Sequence, residues 1–318
     1  MDSSRKVLKD ECPETTIHTF RGYAHAGYFN LPTKPEPQTS QLDTFMKVQE
    51  RGTLIVAIDP AYPPQSEIKP DGSRAPGTLC KVDQFTSSEL RGFDVQVAVE
   101  IARRLGVETC FVTPGWPQII KGNWGGQWDI SVGSMAITPE RMKTLSFTGP
   151  YYATSAAFFV HSDNTSYSSP SDLSGKRIGT CSGCTYQSYL EGALSFPGQE
   201  IEFMVENPEI IEVTTETTAL QDLAWGDGTR LDAVLVALPT VKRAISNGLS
   251  VKQLGDPVYT EYLAAALDKT GNSTSFVDKV DGIIQEMHND GILRVLSMQF
   301  YGEDLTTKAA EFDVNVLQ

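Results

Sequence analysis

From Asp43 onward the chain alternates short, β-branched apolar runs with amphipathic segments, and this alternation restricts the fold more than any other feature. TLIVAID (53–59) is short, apolar and β-branched, so it reads as a buried strand. GFDVQVAVEIARRLGV (92–107) sets Phe93, Val97, Ile101 and Leu105 at four-residue spacing and ends on Gly106, the pattern of an amphipathic helix. ETCFVTP (108–114) is the next strand, WPQIIKGNWGGQ starts helical and breaks at Gly125 and Gly126, and WDISVGSMAI (128–137) is a strand. TPERMK predicts a helix with Thr138 as N-cap and Pro139 at its first position. Strand and helix keep alternating through SAAFFV (155–160), 176–180, a helix from Thr185, a helix at TALQDLAWGDG, LDAVLVA (231–237), a helix at PTVKRAISNG and EYLAAAL (261–267). Two amphipathic helices separated at Asp290-Gly291 close the chain. The expectation is an α/β protein with a largely parallel sheet flanked by helices.

The segments around this pattern differ in character. Residues 1–42 are polar and contain TKPEPQTSQ, which reads as an N-terminal arm or linker. DTFMKVQERG predicts a short helix between an Asp43 cap and Gly52. The stretch 60–90, rich in proline, glycine and charge, is long for a connection, so part of it is expected to be ordered on the surface and to carry function. No fixed-period repeat is visible.

Composition narrows the function. With 26 Lys+Arg against 40 Asp+Glu in 318 residues, the formal charge is −14. Nucleic-acid binding needs basic residues to displace counterions from phosphates, so that class is disfavoured, as is docking on anionic lipid. Hydrophobic residues make up 40%, enough for a core. No run of about 18 apolar residues spans a bilayer. MDSSRKVLKDECPETT lacks an apolar h-region, so no signal peptide is read there, and the chain is either cytoplasmic or has lost its leader. His18, His25, His161 and His288 are dispersed, which argues against a zinc site; no metal or cofactor is expected. Five cysteines, an odd number, leave at least one without an internal partner.

Several segments, read in order, resemble the amino-acid-binding type (family 3) of periplasmic, extracellular solute-binding proteins, the receptors of ABC importers. They are GTLIVAIDPAYPPQS, LRGFDVQVAVEIARRLGV, WDISVGSMAITPERMKTLSFTGPYY, DLSGKRIGTCSGCTYQSYL, TTALQDLAWGDGTRLDAVLV and DGIIQEMHNDGILRVLSMQFYG. The resemblance covers roughly 43–302. It implies the type II periplasmic-binding fold: two α/β lobes, each a mostly parallel sheet flanked by helices, joined by a two-stranded hinge. Lobe 1 is expected at 43–153 plus 263–318 and lobe 2 at 154–262.

The resemblance also implies a site. Arg141 matches the arginine that clamps a ligand carboxylate, for which a planar guanidinium offers parallel donors. Ser134 and Ala136 match positions that present hydroxyl and backbone groups to the ligand, although Ala136 lacks the usual hydroxyl. Thr185, after the turn at Gly183, matches a threonine that caps the same carboxylate. Tyr62 and Trp116 match the aromatic pair that sandwiches the ligand side chain, while Trp124 and Trp128 read as packing residues. Asp59 either contacts polar ends of the ligand or caps the turn at Pro60. Ala237 departs most, because the family usually places there an Asp that pairs with the ligand ammonium. A buried ammonium without a carboxylate is costly. Either the ligand lacks a free α-ammonium or another acid takes over; Asp59 and Asp256 are candidates, and Asp232 reads as structural.

The expected function is therefore capture of a small carboxylate-bearing, amino-acid-like ligand by a monomeric receptor that delivers it to a membrane permease. The alternative is an enzyme resembling cyclohexadienyl dehydratase on the same scaffold, which would need a general acid in the cleft. A third reading, a detached sensory domain, has no signalling segment to support it. Cys181 and Cys184 sit between a strand and a helix and are expected to bridge locally, with a thioredoxin-like redox role as the alternative; Cys80 and Cys110, both in lobe 1, could close a second bridge and leave Cys12 over, so which cysteines pair stays open at this point. Two bridges suit a periplasmic or extracellular location, with the signal peptide absent from this chain. The sequons at Asn164 and Asn272 are given no role.

Overall fold

A computed structural model describes residues 43–313 and 316. The expected arm, 1–42, and Cys12 lie outside the described residues. In chain order the helices are α1 (Thr44–Arg51), α2 (Phe93–Leu105), α3 (Trp116–Lys121), α4 (Thr185–Leu190), α5 (Glu216–Leu223), α6 (Leu238–Ser246), α7 (Thr274–Asn289), α8 (Ile292–Tyr301) and α9 (Thr307–Ala310). The strands are β1 (Thr53–Ala57), β2 (Ala61–Tyr62), β3 (Ser66–Ile68), β4 (Phe85–Thr86), β5 (Leu90–Arg91), β6 (Glu108–Val112), β7 (Ile130–Ala136), β8 (Leu145–His161), β9 (Arg177–Cys181), β10 (Glu209–Val213), β11 (Ala233–Ala237) and β12 (Val251–Asp268). Nine of the strands share one hydrogen-bonded sheet in the order β10-β9-β11-β8-β12-β7-β1-β6-β4.

Two long strands organise that sheet. β8 and β12 pair antiparallel from Leu145 opposite Asp268 to His161 opposite Val251. At one end β12 pairs with β7, which continues into the parallel strands β1 and β6. At the other end β8 pairs with β11, which continues into the parallel strands β9 and β10. Two mostly parallel halves are thus joined by one antiparallel ribbon, the two-lobed type II arrangement. The sequence pattern locates SAAFFV and EYLAAAL but not the length of these strands. Polar positions such as Thr154 and Glu261 interrupt the apolar run where the ribbon passes between the halves.

Local signals account for most elements. Asp43 accepts from Phe45 N at 2.8 Å and Gly52 ends α1 with φ +70°. On α2, Phe93, Val97, Ile101 and Leu105 are all buried. Gly92 before it has φ +138°, and a Cβ there would sit 2.1 Å from the Gln65 carbonyl oxygen, so only glycine fits. One expectation needs correction. TPERMK forms only a 3₁₀ turn, Arg141–Lys143, with Glu140 before it, because the chain must turn straight into β8 at Leu145. Thr138 still caps, its Oγ1 accepting from Arg141 N at 3.2 Å. β10 is a further strand that the pattern did not reveal; its residues are half-buried or exposed at the sheet edge.

The segment 60–90 is ordered as expected. β2, β3 and β5 form a small sheet, and β4 pairs with β6. Cys80 bonds Cys110 on β6, and Cys181 bonds Cys184. Among the described residues no helix is long and apolar enough to cross a membrane. The Cys80–Cys110 bridge closes a loop with a sequence separation of 30. Replacing both cysteines by serine should lower the unfolding free energy by roughly 3–4 kcal/mol, read by urea titration. A change under about 1 kcal/mol would mean the loop gains nothing from its tether.

Candidate functional site

A cleft of about 510 Å³, mouth included, lies between the two halves of the sheet. Its lining brings together Asp59, Tyr62, Trp116, Ser134, Ala136, Arg141 and Thr185 from the expected set. Gly183 touches two of these through its carbonyl, whereas Ala237 is not in the lining. Glu216, Glu261 and Tyr186, which the sequence pattern did not single out, also face the cleft, as does the Cys181–Cys184 bridge.

Among the described residues Arg141 is the only Lys or Arg in the lining, and it is 8% exposed. Its Nη1 donates to the Ala136 carbonyl at 2.9 Å and its Nη2 to the Gly183 carbonyl at 3.1 Å. Trp116 covers it: the guanidinium carbon lies 5.3 Å from the ring centroid, within cation–π range. Trp116 Nε1 donates to the same Gly183 carbonyl at 3.3 Å. One carbonyl of the turn after β9 therefore receives donors from the opposite half, and Thr217 Oγ1 adds a bond to the Ala61 carbonyl at 3.2 Å. Burial pushes the Arg141 pKa down from its ordinary value, while Glu261 opposes that shift. The guanidinium stays charged, because its ordinary value is so high.

Two expected contact residues are differently engaged. The Ser134 hydroxyl donates to Asp94 Oδ2 at 2.6 Å and accepts from the Tyr152 hydroxyl at 2.6 Å, so its single proton is committed inside the protein. Ser134 holds a left-handed φ of +52°, and its N–H donates to the Tyr151 hydroxyl at 2.9 Å. Those bonds fix an unfavourable backbone conformation on the cleft wall. Thr185 Oγ1 donates to Glu261, and the Tyr259 hydroxyl approaches it at 3.4 Å. Asp59 caps its turn, Oδ1 accepting from Ala61 N at 2.9 Å, and it also lines the cleft. Asp256 is exposed and outside the lining. Asp232 pairs with Arg177, as a structural acid would. Trp124 and Trp128 are buried against each other at 5.2 Å.

The acids that sequence reasoning missed carry the strongest electrostatics. Glu261 is 3% exposed in the middle of β12 and accepts from Thr185 and from the Tyr186 hydroxyl at 3.0 Å. Glu216, 5% exposed, is the first residue of α5 and accepts from Ala237 N at 3.3 Å. Desolvation and the nearby Glu261 carboxylate push Glu216 up from 4.5 to about 8, against the pull of the Tyr62 and Tyr186 hydroxyls. Glu261 is also raised, chiefly by burial. No sequence signal marks Glu216, since a glutamate directly after a threonine cap usually faces solvent; here it is turned against the end of β11. Glu261 was hidden inside a strand assignment.

A carboxyl with a raised folded-state pKa holds more protons folded than unfolded. Its contribution is fully present below its ordinary pKa and is lost as pH rises through the folded value. For Glu216 that window runs from 4.5 to about 8. The ligand-free protein should therefore lose melting temperature between pH 5 and 8. Glu216→Gln should show a shallower fall, and identical slopes would place the titrating group elsewhere.

Comparison with known proteins agrees with this geometry. Residues 54–303 match the model of the bacterial extracellular solute-binding proteins, family 3. The L-cystine-binding protein TcyJ of Escherichia coli (strain K12) is 30% identical over 268 residues, covering 82% of this chain and 86% of that protein. The ABC transporter arginine-binding protein 1 of the same organism is 26% identical over 221 residues, covering 68% and 83%. The crystal structure of a mutant of ArgBP from T. maritima superposes with a TM-score of 0.67 at 23% identity, covering 82% of this chain and all of that one. The ancestral amino acid-binding protein AncCDT-1, described as a precursor of cyclohexadienyl dehydratase, gives a TM-score of 0.64 at 25% identity. With most of its described length matched and its two-lobed fold shared, the chain belongs to the family 3 bacterial extracellular solute-binding proteins, the amino-acid type of ABC-transporter receptor.

Proposed function

We propose that this protein is an extracytoplasmic, monomeric receptor that closes two lobes, 43–153 plus 263–318 and 154–262, around a carboxylate-bearing amino acid. It then presents the ligand to the permease of an ABC importer. The observation that carries the reading is Arg141: a buried guanidinium in the cleft, stacked on Trp116 and bonded across it to Gly183. The bond to Gly183 is made to a neutral carbonyl, and a ligand carboxylate is a stronger partner for the same donor. Tyr62 and Trp116 line the cleft and hold the ligand side chain. Closure follows from contacts made by one ligand with both lobes, which favour the closed state by their differential free energy.

Two relatives are named for L-cystine and for arginine, both amino acids with more than one cationic nitrogen. A cleft with three carboxylates, Asp59, Glu216 and Glu261, around one arginine is consistent with that class. A second reading has one observation in its favour. Burial keeps a proton on Glu216 near neutral pH, which gives the cleft a group of general-acid type. Turnover of prephenate or arogenate would establish the enzyme; the receptor reading expects none.

A thermal-shift screen over L-amino acids, opines, betaines and simple carboxylic acids tests the receptor. A ligand at one hundred times its dissociation constant stabilises the folded state by about 2.7 kcal/mol. Arg141→Ala should abolish the shift, since the ligand carboxylate would lose its charged partner. A full shift in that variant would overturn the site.

A further inference from the structure

We propose that Glu216, at the start of α5, is the carboxylate that receives a cationic nitrogen of the amino-acid ligand. It would take the place of an acid at the end of β11, where Ala237 has only a methyl group. The inference rests on the reading of the cleft as an amino-acid site and goes further by naming the group that selects for a cation.

The three cleft acids are not equivalent. Asp59 is engaged in its own turn through Ala61 N. Glu261 has one oxygen bound by Thr185 and the other by Tyr186, and it is the carboxylate in the field of Arg141. Glu216 also takes hydrogen bonds from the Tyr62 and Tyr186 hydroxyls, but it differs in place: its side chain lies against the β11 terminus, with the Ala237 N 3.3 Å from Oε2. A side chain from the start of α5 thereby puts a carboxyl group beside the backbone of residue 237. Thr215 fixes its origin, the Oγ1 accepting from Thr218 N at 3.2 Å as the cap of α5. Arg141 reaches the turn after β9 at Gly183, whereas Glu216 reaches the end of β11 at Ala237, so the cationic and acidic groups of the cleft sit on different elements, as a zwitterion requires.

Charge balance points the same way. Arg141 is already opposed by the buried Glu261, so a ligand carboxylate bound to Arg141 leaves the cleft with an uncompensated negative charge, and Glu216, which holds a proton in the ligand-free cleft, releases it when a cation arrives. Uncompensated buried charge is costly, so the occupant must bring positive charge to the acidic group. An α-ammonium and a cationic side chain both supply it.

The test uses the L-amino acid that raises the melting point most in a screen of the standard L-amino acids and L-cystine. Its deamino analogue and, where the side chain is cationic, a neutral isostere are the comparison probes. Dissociation constants are measured by calorimetry for the wild type, Glu216→Gln and the double variant Glu216→Gln/Ala237→Asp. We expect Glu216→Gln to weaken the amino acid about 100-fold and to change little for the analogue lacking the recognised cation. Loss of selectivity against the deamino analogue assigns the α-ammonium; loss against the isostere assigns the side chain. Ala237→Asp should restore much of the affinity by returning a carboxylate to the strand end. The wild type alone must disfavour one of these analogues by a similar factor, and equal binding of both overturns the proposal even if Glu216→Gln misfolds. Affinity within threefold of wild type in Glu216→Gln, or an equal loss for every probe, overturns it and leaves the receptor intact. Failure of every amino acid to bind the wild type removes the receptor reading and this inference together.

Discussion

The antiparallel pairing of β8 with β12 is the constraint on which the rest of the molecule depends. Each strand serves both sheet halves, so its register fixes how the halves face one another. A slip of one residue would exchange the faces of every side chain along it. The pairing sets Glu261 opposite Thr154, where the ribbon passes between the halves, and this is why an acid in the middle of a strand reaches the cleft. The strands β1 and β11 on either side are nearly continuous apolar runs, and β7, between β1 and the ribbon, is buried throughout its length, as expected for a sheet covered on both faces.

Around that ribbon the site is a problem in buried charge. Arg141 could not be buried on neutral carbonyls alone without cost, and the Glu261 carboxylate and the Trp116 ring offset part of it. Glu216 and Glu261 are in turn held by hydroxyl and amide donors, and burial favours the protonated form of each. The field inside the cleft is set by this local arrangement more than by the formal charge of −14. An acidic surface does not prevent carboxylate binding when a desolvated guanidinium supplies the local field.

The parts of this picture that are legible in the sequence are those set by short-range physics. The α2 stripe, the Asp43 and Gly52 caps, β1 and β11 follow from periodicity and capping. Most cleft residues follow from the ordered motifs, whereas the Cys80–Cys110 pairing stayed open until the fold brought the loop against β6. The 3₁₀ turn at Arg141 was read as a longer helix because TPER carries good start signals; the sharp entry into β8 overrides them. Ser134 was expected to offer its hydroxyl outward. Its proton is instead drawn inward by Asp94, whose own pKa burial raises to about 7.

By itself the sequence determined the fold class and the strand and helix alternation, because each depends on local pattern, while Arg141 and Trp116 were legible as cleft residues only through the ordered motifs that resemble the family. It left open what stands in for an acid at Ala237. Only the tertiary structure decided that Glu216 and Glu261 share the cleft with Arg141, that Thr185 is committed to Glu261, and that Asp256 lies outside. Those outcomes depend on which distant segments the β8–β12 ribbon brings together, and burial by such segments is a property no single stretch of chain encodes.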